Sequence, residues 1–219
     1  MNTLFKQAMI ALSFVAATPL LAGQASAAGN PEAGKDKVAV CAGCHGADGN
    51  SPAPIYPKLA GLGEKYIHKQ LVDVQSGARV IPEMTGLLNN LSDQDLQDIA
   101  AFFASQSMQL TGSKELNVLV NSGAQVDALA LGKRVYRGGN KETNVPACMG
   151  CHSPTGIGNA PAGYPRLGGQ YAEYIEKQLL AFRGGERTND GDRSTMRGVA
   201  KNLSDAEITA VANYIAGLN

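Results

Sequence analysis

Cys41-Ala42-Gly43-Cys44-His45, "CAGCH", recurs 107 residues later (148 minus 41) as Cys148-Met149-Gly150-Cys151-His152, "CMGCH". The two copies use all four cysteines of the chain and two of its three histidines. Each copy packs two thiols and an imidazole into five residues, a density that points to one covalent or metal-binding task rather than to general packing. Which task it is depends on the compartment and on the structure around each copy.

The compartment is read from the N-terminus. Lys6 precedes the apolar run Ala8 to Ala17, and Ala25-Ser26-Ala27 is the small-residue pattern that a signal peptidase recognises. Residues 1–27 are therefore expected to be a signal peptide, with Ala28 the mature N-terminus and the periplasm the destination. No later stretch is apolar for long enough to span a bilayer, a pattern compatible with association at a membrane surface. An oxidising destination favours disulfides, yet four cysteines in two local pairs, each followed by histidine, do not form a disulfide framework. The formal net charge is zero, but the halves differ: 7 basic against 10 acidic residues from Ala28 to Ser122, and 11 against 9 from Gly123 to Asn219. Such an imbalance is ordinary for a solvated surface, and no basic, aromatic-interleaved stretch suggests nucleic-acid binding.

Much of the chain follows the motif in repeating. Tyr56-Pro57-Lys58-Leu59 matches Tyr164-Pro165-Arg166-Leu167 at an offset of 108 (164 minus 56), as does "EKYIHKQL" (64–71) with "AEYIEKQL" (172–179). "NLSDQDLQDIAAFF" (90–103) then matches "NLSDAEITAVANYI" (202–215) at 112 (202 minus 90). One unit has been used twice. The expected division is a first domain at 28–109, a Gly- and Ser-containing linker at 110–125, and a second domain at 126–219.

Each unit reads as helical. Ser92 and Ser204 are expected N-caps, with Asp95 and Glu207 at the third helical position, the latter a capping-box residue. Leu96, Ile99, Ala100 and Phe103, and again Ile208, Val211, Ala212 and Ile215, recur at helical spacing. The segments starting at Tyr66 and Tyr174 give a second helix per unit, stopped by glycine, and helices are also expected at about 31–40 and 126–136. No alternating strand pattern stands out, so the expected class is all-α. Units this short, without tryptophan, lack the apolar material for a self-sufficient core and need a staple.

CxxCH is the attachment signature of c-type haem: two thiols form thioethers with the vinyl groups, and the adjacent histidine binds iron on one face. A redox dithiol would sit in an α/β context, and a zinc site would want four ligands where each copy offers three. Cys41, Cys44, Cys148 and Cys151 are thus the expected attachment points for two covalently bound haem c groups, with His45 and His152 as iron ligands.

The other face of each iron then needs a ligand, and the one remaining histidine, His68, cannot serve both; its repeat counterpart is Glu176. Methionine is the alternative. Met149 lies between its own two anchors, and Met108 has no counterpart in the second unit. Met84 in "IPEMTG" and Met196 in "RSTMRG" do correspond, each 8 residues before its Ser-Asp helix start (92 minus 84, 204 minus 196). They are the candidate axial ligands.

With these residues in place, each half resembles the class I cytochromes c, and the tandem arrangement resembles the dihaem cytochrome c4 family across the mature chain. The resemblance implies that the carbonyls of Pro57 and Pro165 accept the Nδ1 protons of the iron-bound histidines. It implies that Gly34 and Gly132 let the first and last helices of each unit cross closely, against Phe102 and Tyr214. The second unit departs by inserting Gly138 to Ala147 before Cys148. The resemblance also implies an electron-transfer protein rather than an enzyme, its partners redox proteins: a quinol-oxidising complex upstream and a haem-copper terminal oxidase downstream. An alternative is a dihaem electron-transfer subunit of a multi-subunit dehydrogenase, such as a flavocytochrome sulfide-oxidising enzyme. A dihaem peroxidase would need an open iron position, which Met84 and Met196 argue against.

Overall fold

The computed structural model describes residues 28–219; the expected signal peptide, residues 1–27, lies outside the described residues. In the first unit α1 (Pro31–Lys35), α2 (Ala39–His45), α3 (Glu64–Gln75) and α4 (Asp93–Ser105) follow one another. A hairpin of β1 (Asn117–Leu119) and β2 (Gln125–Asp127) comes next. The second unit comprises α5 (Ala128–Gly138), α6 (Met149–His152), α7 (Ala172–Gly184), α8 (Thr195–Ala200) and α9 (Asp205–Ala216). The molecule is two helical units in tandem, as expected.

Both Ser-Asp helix starts carry full capping boxes. The Ser92 hydroxyl accepts from the Asp95 N–H while Asp95 accepts from the Ser92 N–H, and Ser204 and Glu207 do the same. The shorter Asp95 side chain thus completes a box that its sequence only half suggested. The apolar faces behind these caps fill two separate cores. Leu96, Ile99, Ala100 and Phe103 anchor one; Ile208, Val211, Ala212 and Ile215 anchor the other.

The first helix of each unit crosses the last at a glycine. A Cβ on Gly34 would lie 2.0 Å from the Asp98 carbonyl oxygen and 2.9 Å from Phe102 Cβ. On Gly132 it would lie 2.1 Å from the Ala210 oxygen and 2.8 Å from Tyr214 Cβ. Only a residue without a side chain permits either approach. Across the first crossing, Lys37 Nζ reaches Asp95 at 2.7 Å and Asp98 at 2.6 Å.

Two local features differ from the expectation. The helix expected over 31–40 is two: α1 ends at Lys35, where the Gly34 carbonyl accepts the Lys37 N–H and tightens the turn, and α2 restarts after Val38. The other is the hairpin within and just beyond the expected linker. Its pairs Asn117 with Asp127, Val118 with Val126 and Leu119 with Gln125 are too short to give a sequence period. This segment folds against the second unit: Val118 is in the second core, and the Lys114 N–H donates to Asn213 Oδ1 at 2.8 Å. The inserted loop before Cys148 is closed by Asn140 and Val145, which exchange both backbone hydrogen bonds at 2.8 Å.

Candidate functional site

In the first unit, α2 carries Cys41, Cys44 and His45 to one wall of a cavity of about 500 Å³, and Met84, at the end of a 3₁₀ turn (Pro82–Met84), lines the same space. Leu59, Leu62, Ile67, Leu71 and Phe103 supply apolar walls. His45 Nδ1 donates to the Pro57 carbonyl at 2.8 Å, and the ring meets Tyr56 edge-on with centroids 6.2 Å apart. A carbonyl only accepts, so Nδ1 carries the proton and Nε2 is the nitrogen with a free lone pair. Burial holds His45 below the ordinary imidazole range and so keeps it neutral, as a ligand must be.

The second unit repeats the geometry of the histidine. His152 Nδ1 donates to the Pro165 carbonyl at 3.0 Å, Tyr164 meets the ring edge-on at 6.1 Å, and burial lowers the His152 pKa. Cys148 is partly buried against the second core, where burial raises its thiol to about 11, while Cys151 is exposed. Burial raises Cys41 as well. None of the four cysteines is paired in a disulfide, which leaves each sulfur for a thioether. Met196 sits in the first turn of α8 and packs on the same core as Cys148. It is held differently from Met84. Ser194 caps α8 in the left-handed region at φ 49°, and Asp190 accepts from the Arg197 backbone N–H and from its Nε, both at 2.8 Å.

The remaining candidates are accounted for elsewhere. His68 Nε2 pairs with Asp93 at 2.7 Å, outside the cavity lining. Met108 packs on the first core and Met149 on the second.

The cavity does not end at the unit boundary; Tyr174, Gln178 and Arg187 line it as well. Here two arginines make reciprocal contacts. Arg79 donates to Gln70 in its own unit at 2.7 Å, and across the boundary to Tyr174 Oη and Gln178 Oε1, both at 3.1 Å. Arg187 donates to Gln178 in its own unit at 2.7 Å, and across the boundary to Tyr66 Oη at 3.3 Å and Gln70 Oε1 at 2.9 Å. All three residue types match at the repeat offset of 108 (187 minus 79, 174 minus 66, 178 minus 70). Among the described residues neither guanidinium forms a salt bridge, so two cations face the cavity with neutral hydrogen-bond partners only. Burial would raise the Tyr66 hydroxyl, yet Arg187 and Arg79 bring it below the ordinary tyrosine range. This cluster escaped the sequence reading, although its signal, an arginine repeated at 108, was there to be aligned.

The residues of the first unit fit haem on two counts: an apolar slot with one imidazole and one thioether on its walls, and half-buried cations suited to carboxylate groups. The family model described as Cytochrome c matches residues 31–107 and again 129–219. Cytochrome c4 of Pseudomonas aeruginosa is 54% identical over 91% of this chain and 94% of that protein. The chain belongs to the cytochrome c4 family. The crystal structure of reduced recombinant cytochrome c4 from Pseudomonas stutzeri superposes with a TM-score of 0.80 at 50% identity, covering 88% of this chain and 100% of that one. A thiosulfate dehydrogenase electron acceptor of Stutzerimonas stutzeri is 38% identical over 81% of this chain and 78% of that protein. As a cytochrome c4, the chain is an electron-transfer protein with two covalently bound haem c groups.

Proposed function

We propose that this cytochrome c4 carries electrons in the periplasm from a quinol-oxidising complex towards a haem-copper terminal oxidase, with His45 and Met84 as axial ligands in the first domain and His152 and Met196 in the second. The observation that supports this most is the single cavity lined by Cys41, Cys44, His45 and Met84. Two thiols on one short helix fix the group covalently, and a neutral imidazole and a thioether are available to its iron. Bound there, haem supplies a one-electron couple, and His/Met ligation raises its potential relative to two histidines.

The chain does the rest. Pro57 and Pro165 hold the imidazoles in one tautomer and orientation, which limits rearrangement when the charge on iron changes. The apolar walls exclude water. Arg79 and Arg187 offer compensating charge to haem carboxylates from both sides of the boundary, which also ties the two units together. Because the cavity opens onto the other unit rather than being closed off from it, electron exchange within the molecule is favoured.

Pyridine haemochrome analysis of matured protein should give two haems per chain, and fewer would sink the tandem reading. Met84→Ala should remove the weak red sulfur-to-ferric-iron band of one haem and lower its potential; an unchanged spectrum would exclude Met84 as a ligand. A second reading, an electron-accepting partner of a dehydrogenase, is favoured by the likeness to the thiosulfate dehydrogenase electron acceptor. Rapid reduction by such a dehydrogenase, with none by a quinol-oxidising complex, would select it.

A further inference from the structure

We infer that Gln170, a residue of the second domain, tunes the haem of the first by polarising the peptide group that orients His45. The inference rests on His45 being an iron ligand.

The Pro57–Lys58 peptide is hydrogen-bonded at both ends. Its carbonyl oxygen accepts the His45 Nδ1 proton at 2.8 Å, and its N–H donates to Gln170 Oε1 at 3.0 Å. Gln170 Nε2 returns a bond to the next carbonyl, Lys58 O, at 2.9 Å, and Oε1 also accepts the Tyr171 N–H at 3.1 Å. Two backbone donors on one side and a backbone acceptor on the other fix which way the amide points. Gln170 is 2% exposed and Lys58 4%, so the chain runs through an interior where hydrogen bonds polarise one another.

The direction of the effect follows. An amide whose N–H is donated gains negative charge on its oxygen. That oxygen pulls harder on the imidazole proton, and the more anionic ring is a stronger donor to iron. A stronger donor stabilises the ferric state and lowers the potential. The Lys58 ammonium donates to the Gln109 carbonyl and to the Gly169 carbonyl, the latter at 3.4 Å, and no change at position 170 removes its charge.

The second domain lacks this device. The residue matching Gln170 at the 108 offset is Leu62, which has no side-chain acceptor. The Pro165–Arg166 peptide instead donates to the Leu62 backbone carbonyl at 3.3 Å, and its own oxygen stands 3.0 Å from His152 Nδ1. Both bonds are longer than their counterparts in the first domain. One substitution between repeat copies thus makes the surroundings of the two histidines unequal.

The test is a redox titration of the full dihaem protein, with the two haems told apart by their hyperfine-shifted methyl proton signals. Gln170→Leu, which installs the residue of the other repeat, should move the first haem's midpoint upward and leave the second in place. Gln170→Glu, which keeps an acceptor and makes it anionic, should bring the first midpoint to the wild-type value or below. A role confined to holding the domains together predicts that both variants move the midpoint the same way. Tyr171→Phe is the control: it removes another bond across the boundary, from Tyr171 Oη to Ser51 O at 2.6 Å, without touching the peptide. The inference fails if Gln170→Leu leaves the first midpoint at the wild-type value, or if Tyr171→Phe shifts it as far. Haem content and the sulfur-to-iron band of the wild type, read from the same samples, report separately on His45 ligation. A first domain lacking either would sink the ligand reading, whereas a normal band with an unmoved midpoint would sink the relay alone.

Discussion

Gly132→Ala probes the helix crossing on which the second site depends. The added Cβ would start 2.1 Å from the Ala210 oxygen, 2.7 Å from its carbonyl carbon and 2.8 Å from Tyr214 Cβ. A carbon and an oxygen rest at about 3.3 Å or more, so α5 must move roughly 1 Å from α9. A gap of that size forfeits about a quarter to a half of each dispersion contact across it. With Leu131 and Val135 buried on α5, the expected overpacking cost is about 3 kcal/mol. Replacing glycine within a helix returns about 1 kcal/mol, for a net loss of about 2 kcal/mol. The displacement has a second effect. Tyr136, on α5, packs at a tilt against Tyr214 with centroids 5.5 Å apart and donates to the Ser153 carbonyl at 2.6 Å, immediately after His152. With Met196 the proposed ligand, the variant should therefore also weaken the sulfur-to-iron band of the second haem. Guanidinium unfolding followed by far-UV circular dichroism measures the first effect and ferric absorbance the second. Gly138→Ala, at the end of the same helix with no atom within 4 Å of the added carbon, should be neutral or slightly stabilising. A Gly132→Ala variant within about 0.5 kcal/mol of wild type would refute the overpacking argument.

Three further outcomes are expected. Hydrogen bonds from the Asn30 N–H and Lys37 hold Asp98 below its ordinary value of 3.8, so its contribution to stability is present above that value and is lost as pH falls through the lower folded value. Asp98→Asn should flatten the acid limb of first-domain unfolding below about pH 4 and leave the second-domain limb alone, and an unchanged acid limb would count against the pairing. Asp190→Ala removes a buried carboxylate whose partner Arg197 is one-third exposed, for a local cost of about 2 kcal/mol, between the exposed and buried limits. On mild heating it should lose the second haem's sulfur-to-iron band before the first's; simultaneous loss would argue against Asp190 holding the Met196 turn. Arg79→Gln removes a cation facing the cavity and should lower the first haem's midpoint in a redox titration; a rise would mean that its charge does not act on the iron.

What the sequence disclosed was what is local or repeated. The attachment motifs, the Ser92 and Ser204 caps and the paired methionines each depend on neighbours within about a turn or on comparison of the two copies. The break between α1 and α2 was hidden because Asp36, Lys37 and Val38 carry no glycine or proline, and only the crossing with α4 gives Lys37 its two carboxylate partners. The hairpin was hidden by three-residue strands. Gln170 was hidden for a different reason: its importance lies in a peptide 112 residues away (170 minus 58), and it appears in only one copy of the repeat.

The reciprocal arginines give the molecule a self-complementary seam. Each unit offers Tyr, Gln and Arg in the arrangement that the other accepts, which is the pattern of a two-fold dimer whose subunits happen to be joined. Separate units with this face would pair to an extent set by their abundance. The short connection between Ser105, where α4 ends, and Thr111, whose N–H already donates to Gly169 of the second unit, replaces that dependence with a fixed effective concentration, of millimolar order for short linkers. Dilution therefore does not part the two haem domains, and their pairing becomes a property of the gene product rather than of its expression level.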